Sequence, residues 1–268
     1  MFMTKIEKNG ETYTFEDLLE VMSILRSEEG CPWDREQDHV SIKNAVIEEA
    51  YELVEAINKN DLANLKEELG DLLLQVVFHS QIGKEAMTFT IEEVVDGIVE
   101  KLIRRHPHVF DTLLAEDSAA VLDRWDKIKL DEKSITTVTE DLRQVPKVLP
   151  ALIKATKVQK KVGKIGFDFP DFYSAFDKLT EEAQELMEAY ENKDLKATEE
   201  ELGDLLFSMV NISRFLGLNP ENALTNALEK FINRFEGIEN LAISRGQDMS
   251  QMDLAQMDAL WHEVKKDE

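Results

Sequence analysis

A chain of 268 residues is long enough for two domains of ordinary size, each with its own core. With 55 Asp and Glu against 31 Lys and Arg, a formal charge of -24, the mean surface repels DNA, RNA and anionic lipid, so neither nucleic acid nor membrane is an expected partner. Cys31 is the only cysteine, which excludes an intrachain disulfide and a thiolate metal cluster; Met1 to Lys8 lacks an apolar leader and no 18 apolar residues run together, so a cytoplasmic location is expected.

Apolar residues recur at spacings of three and four, as in Val46, Ala50, Leu53 and Ile57 and again in Leu65, Leu69, Leu72 and Val76. No alternating pattern lasts long enough to build a sheet, so the expected fold class is all-α. Along the chain, Cys31-Pro32-Trp33-Asp34 reads as a compact turn with an aromatic that can meet a nucleobase. Ser41 is expected to cap the next helix, and Asp61, after a polar turn from Asn58, the one after it. The capping box Thr90-Ile91-Glu92-Glu93 opens a third helix, which His106-Pro107-His108 most simply ends. In the second half Asp194 repeats the role of Asp61, and Asn219-Pro220 puts a cap and an N1 proline before another third helix.

The two halves are copies. Residues 48–78 and 181–211 align without a gap at an offset of 133, with 17 of 31 positions identical. The third helices correspond at an offset of 129, the first copy carrying a loop expected to be four residues longer. Each copy ends on a Trp-x-x-aliphatic-Lys signature, at Trp125 and at Trp261. The expected organisation is a first unit over 1–130, a linker over 131–146 and a second unit over 147–268.

What the copies share most is carboxylates. Glu49 with Glu52, and Glu68 with Asp71, are i,i+3 pairs that fall on one face of each helix, as are Glu182 with Glu185 and Glu201 with Asp204. If the helices pack antiparallel through their leucine stripes, four acids converge in each copy, and a bound cation relieves their repulsion. All-oxygen ligation without Cys or His selects Mg²⁺, with Mn²⁺ as substitute. Gly70 and Gly203, costly in mid-helix, are expected to allow close helix approach beside the ligands. Glu48 and Glu181 sit about 100° round the helix and read either as bases behind the ligands or as solvated acids.

Lys101 with Arg105, and Lys230 with Arg234, give each third helix a two-cation face suited to phosphate oxygens or, more plainly, to intrahelical salt bridges. Arg104 in the first copy is replaced by Asn233 in the second. Trp125 and Trp261 read equally as base-stacking groups and as packing anchors.

Taken together, the Cys31 to Asp34 turn, both acidic sets, Arg104 to Phe110, Gly166-Phe167-Asp168 and Trp261 resemble the MazG family of nucleoside triphosphate pyrophosphohydrolases in its tandem bacterial form. The resemblance implies tandem all-α units whose four-helix bundles are completed by homodimerisation. It implies Mg²⁺-dependent hydrolysis of nucleoside and deoxynucleoside triphosphates, ATP among them, to monophosphate and pyrophosphate, serving nucleotide-pool house-cleaning or stress-related regulation. It makes Glu181, Glu182, Glu185, Glu201 and Asp204 the catalytic set, with the last four as metal ligands and Glu49, Glu52, Glu68 and Asp71 as their first-copy counterparts. Lys230, Arg234 and Trp261, and with them Lys101, Arg105 and Trp125, become nucleotide contacts. A rival is a non-catalytic, nucleotide-sensing acidic helical dimer, most plausible for the first unit. A ferritin-like di-iron centre requires Glu-x-x-His pairs, and Glu36 to His39 is the only such spacing.

Overall fold

A computed structural model of the protein describes Lys8 and residues 12–111 and 117–266. The start read as leaderless, Met1 to Glu7, lies outside the described residues. Among the described residues every regular element is helical, and none is long and apolar enough to cross a membrane. The chain forms two compact units, Met1–Lys129 and Leu130–Glu268. The first contains α1 (Phe15–Leu25), α2 (Pro32–Glu36), α3 (Lys43–Lys59), α4 (Leu62–Glu85), α5 (Ile91–Arg105), α6 (Pro107–Phe110) and most of α7 (Ser118–Glu132). The second contains α8 (Val138–Arg143), α9 (Ala151–Gly163), α10 (Phe172–Glu191), α11 (Leu195–Phe215), α12 (Pro220–Ser244) and α13 (Leu254–Lys266), with a 3₁₀ turn at Met249–Gln251.

The motif helices pair as α3 with α4 and α10 with α11, and each hairpin turns on a left-handed residue, Asn60 (φ 53) and Lys193 (φ 58), at equivalent positions. Asp61 and Asp194 then cap the second helix of each pair by accepting from two backbone N–H groups. Thr90 forms its capping box with Glu93, and Asn219 caps α12 ahead of Pro220. Ser41 does not cap α3. Its hydroxyl is spent on Asp38, accepting from the Asp38 N–H and donating to the Asp38 carbonyl, while the Asp38 carboxylate takes the N–H groups of Val40 and Ser41. The helix starts only at Lys43, whereas Asp171 caps α10 directly and lets it begin a turn earlier. The four extra residues of the first copy lengthen helix more than loop: α4 has 24 residues against 21 in α11, and one more residue lies before the third helix.

Met22, Ile42, Val77, Phe78 and Ile82 form the core of the first unit, with Leu18, Leu19 and Leu74 packed against it. In the second unit Ile238, Ala242 and Leu260 form a cluster that Trp261 and Val264 of α13 cover. Val77 and Val210, both 1% exposed, are the same position in the two copies, as are buried Ala56 and Ala189. The leucine stripes are only partly used: Ile57, Leu69 and Val76 stay exposed, because the apolar surface is wider than one neighbouring helix covers. Within the chain, Gly70 and Gly203 do not mediate the close approach expected of them, since a Cβ at either would meet nothing within 4 Å. Both lie on the outer face of their helix pair. Segment 131–146, expected as a linker, carries α8, whose Asp141 is ion-paired to Lys161 of α9, and ends near buried Val145.

Candidate functional site

Antiparallel pairing of the motif helices brings three of the four acids in each copy into one ligand set. Carboxylate oxygens of Glu49, Glu68 and Asp71 lie within 4.8 Å of one another, and so do those of Glu182, Glu201 and Asp204. Glu52 and Glu185 lie outside these tight trios, and both side chains are exposed. They are still close enough to be felt. Burial first, then Glu52, Asp71, Glu49 and Glu67, pushes the Glu68 carboxyl up; burial, then Asp71, Glu52 and Glu48, does the same to Glu49. Glu201 is raised by burial and then by Glu185, Glu182, Asp204 and Glu200.

The two trios bury different members. In the first, Glu68 on the second helix is 7% exposed and its Oε2 has no hydrogen-bond partner. In the second, Glu182 on the first helix is 6% exposed and is held by Lys178, one turn earlier, at 2.8 Å. Lys178 also reaches exposed Glu181 at 2.9 Å, and the two acids, Glu182 foremost, hold its ammonium well above the usual lysine range. The first copy has Ala45 at that position, so its trio lacks this cation.

Beside the second trio lies a cavity of about 530 Å³ between α9, the loop after it, α10 and α11. Val158, Val162, Phe167, Phe169 and Phe207 make it largely apolar, and Glu182, Asp204 and Lys178 stand on its wall. Arg214 is fixed there by Asp168, to which its Nη1 donates at 2.7 Å and its Nη2 also donates, and by Asn211 Oδ1 at 2.7 Å. That pair holds the Asp168 carboxyl below its usual range, the Arg214 hydrogen bonds outweighing burial. Gly163, the last residue of α9, leaves room for this pair, since a Cβ there would come within 2.9 Å of Asp168 Oδ2. Sequence reasoning noticed Gly166-Phe167-Asp168 only as a resemblance and missed Gln159, Lys178, Asn211 and Arg214. The available signal for Lys178 was its i,i+3 and i,i+4 spacing to Glu181 and Glu182.

At the first copy's equivalent of Asn211 stands Phe78, 6% exposed and part of the core, with the Arg26 guanidinium over its ring. Arg26 forms a bidentate pair with Glu85 and donates to the carbonyls of Asp34 and Gln37, so it holds the Cys31 to Asp34 turn. Trp33 of that turn is 63% exposed.

The cation helices stand apart from the trios. Lys101 and Lys230 are exposed, and neither Lys230, Arg234 nor Trp261 lines the cavity. Arg105 lies 5.7 Å from the centre of Trp125 and Arg234 5.6 Å from that of Trp261, a repeated cation–π pair. Trp125 is edge-on to His106 and Trp261 packs on Phe231, so both indoles anchor the closing helix to the third. His39, the histidine of the only Glu-x-x-His spacing, pairs with His79 and enters neither acidic trio.

A duplicated all-α protein with a three-carboxylate ligand set in each half, one of them opening on an apolar cavity, is the class defined by this fold and site. Residues 37–110 and 172–238 match the MazG nucleotide pyrophosphohydrolase domain. The chain is 44% identical over 251 residues to the nucleoside triphosphate pyrophosphohydrolase/pyrophosphatase MazG of Thermotoga maritima, covering 94% of this chain and 95% of that one. It is 43% identical over 256 residues to the nucleoside triphosphate pyrophosphohydrolase of Escherichia coli K12, covering 94% and 97%. It is also 45% identical over 260 residues to the uncharacterized protein YabN of Bacillus subtilis, covering 96% of this chain and 52% of the relative. The chain belongs to the MazG family.

Proposed function

We propose that this enzyme hydrolyses nucleoside triphosphates to the monophosphate and pyrophosphate in the cytoplasm, and that the second unit is its working site. The observation that carries this reading is the junction of the Glu182, Glu201 and Asp204 trio with the 530 Å³ cavity. A ligand spanning that junction places an anionic end among cation-binding groups and an apolar, planar end between Phe167, Phe169 and Phe207.

The donor set fits Mg²⁺: it is all carboxylate, convergent and free of nitrogen and sulfur, and in the first copy one buried oxygen, Glu68 Oε2, has no other partner. Glu182, Glu201 and Asp204, with Glu185 beside them, would hold the ion. Mg²⁺ supplies charge neutralisation at phosphate oxygens and a more acidic water. Lys178, paired with Glu182 in the metal-free protein, presents an ammonium at the cavity wall for a phosphate oxygen. Glu181, tied to Lys178 and exposed, orients that lysine. Asp168, Asn211 and Arg214 keep the far wall rigid, so the base end is positioned before chemistry begins.

The apolar face of α12, with Leu228, Phe231, Ile232 and Phe235 all exposed, supports a homodimer in which a second copy completes each bundle. Lys230 and Arg234 share that helix, so dimerisation would carry them towards a neighbouring copy's triphosphate. The first unit, whose Phe78 fills the place of Asn211, fits a nucleotide-sensing or structural role better than turnover.

The test is pyrophosphate release from ribo- and deoxynucleoside triphosphates with Mg²⁺ or chelator. Release lost on chelation and in Glu185→Gln, but kept in Glu52→Gln, is the expected result; release that survives Glu185→Gln removes the second site from the scheme. Light scattering of Phe231→Asp tests the dimer, which is expected to dissociate.

A further inference from the structure

Gln159 is 4% exposed, and its carboxamide is oriented by one bond: Nε2 donates to the Phe207 carbonyl at 2.8 Å. That bond assigns the two ends of the amide and leaves Oε1 as an acceptor. Oε1 is buried and, among the described residues, accepts from no donor. Arg214 Nε, in the same cavity's lining, is a buried donor that, among the described residues, meets no acceptor. Two of the four such orphaned side-chain atoms among the described residues thus belong to one pocket. Buried polar groups left unserved cost enough to require an explanation, and a cavity wall is where an incoming ligand can serve them.

We infer that Gln159 is a specificity-determining residue that reads the hydrogen-bonding edge of the nucleobase, accepting from a ring N–H or exocyclic amine, with Arg214 Nε meeting an acceptor on the same edge. This rests on the second unit being the nucleotide site. The apolar walls at Val158, Val162, Phe167 and Phe207 supply affinity for any planar base, but they do not distinguish one edge from another. Gln159 does. A ligand lacking the donor leaves Oε1 unserved in a dry pocket, and such sites reject their unpaired analogues strongly. Gln159 lines the cavity, so a turn of the amide about its bond to Phe207 is what would bring Oε1 to an entering base.

The experiment uses the full-length protein with Mg²⁺. ATP, CTP and GTP are each compared with the triphosphate of purine riboside, 2-pyrimidinone riboside or inosine, which lack the exocyclic amine, and UTP with its N3-methyl analogue. Wild type is expected to favour at least one parent by about 10- to 100-fold in kcat/KM, the range set by one unpaired buried group. In Gln159→Met, of similar volume, that preference falls to within about three-fold, because turnover of the parent drops while that of its analogue holds. Circular dichroism checks that the variant folds. Equal losses for parent and analogue in the variant overturn the inference. So does a wild type without preference in any pair, a result that stands even if the variant is unfolded. Metal-dependent turnover abolished by Glu185→Gln shows the site reading intact in either case; its absence is a failure of that reading instead.

Discussion

The two units began as one sequence and now differ most where a nucleotide would sit. Both keep a convergent trio of acids, but only the second adds Lys178 to hold one of them and Asn211 and Arg214 to frame a cavity. The first replaces these three with Ala45, Phe78 and Gln81; Phe78 goes into the core and Gln81 donates to Glu85. Ligand geometry is therefore the easier thing for a duplicated helix pair to retain, since it follows from i,i+3 spacing and one hairpin. The cavity needs side chains on two further segments, α9 and the loop after it, to agree with the hairpin.

The comparison breaks most visibly at the acids. Glu201→Gln is expected to lower pyrophosphate release about 1000-fold, in line with removal of a group that stabilises transition-state charge, while the equivalent Glu68→Gln stays within about three-fold of wild type. Steady-state kinetics on both variants decides whether the units are functionally unequal. Next in size is the exchange at one position: Asn211→Phe, which fills the cavity, is expected to reduce kcat/KM about 100-fold. Phe78→Ala in the first unit leaves kcat/KM alone but costs about 3–5 kcal/mol in urea unfolding of that unit, the range for a large aromatic lost from a core.

Smaller effects sharpen the electrostatic difference. Lys178 competes with a divalent ion for Glu182, so Lys178→Ala should tighten Mn²⁺ binding without nucleotide by about two- to five-fold, and Ala45→Lys should weaken it in the first unit. Calorimetry with each variant measures both. The last prediction concerns pH. Because Glu68 and Glu49 are raised in the fold from their usual 4.5, the native metal-free protein binds protons that the unfolded chain releases. Their penalty on stability is absent below about pH 4.5 and complete above the raised native values, so stability from these groups falls as pH rises through that window. Melting curves in chelator should show this slope, with Glu68→Gln flattening it and Mg²⁺ opposing it.

Much of this was legible in the sequence. Asp61, Thr90, Asp194 and Asn219 cap helices as their chemistry dictates, and three of the four acids in each copy come together. Ser41 failed as a cap because Asp38, three residues away, offers a closer partner, and local spacing does not rank such competitors. Gly70 and Gly203 misled because helix spacing says which residues share a face but not whether another helix lies over it. The cavity was out of reach for a different reason. Gln159, Asp168, Lys178 and Arg214 come from four segments of the second unit, and only the tertiary arrangement brings them to one wall.

Duplication carries a hazard for the folding chain, because similar helices can be exchanged between copies. Each unit ties the segment before its motif helices to the second of them with an arginine–carboxylate clasp, but the polarity is reversed. In the first, Arg26 at the end of α1 grips Glu85 on α4; in the second, Asp168 after α9 grips Arg214 on α11. By the 133-residue offset, a crossed pairing would set Arg26 against Leu218 and Asp168 against Gln81, so each clasp would lose its charged partner. The clasps would thus favour each leading segment on its own helix pair, a sorting that apolar packing between similar copies supplies only weakly.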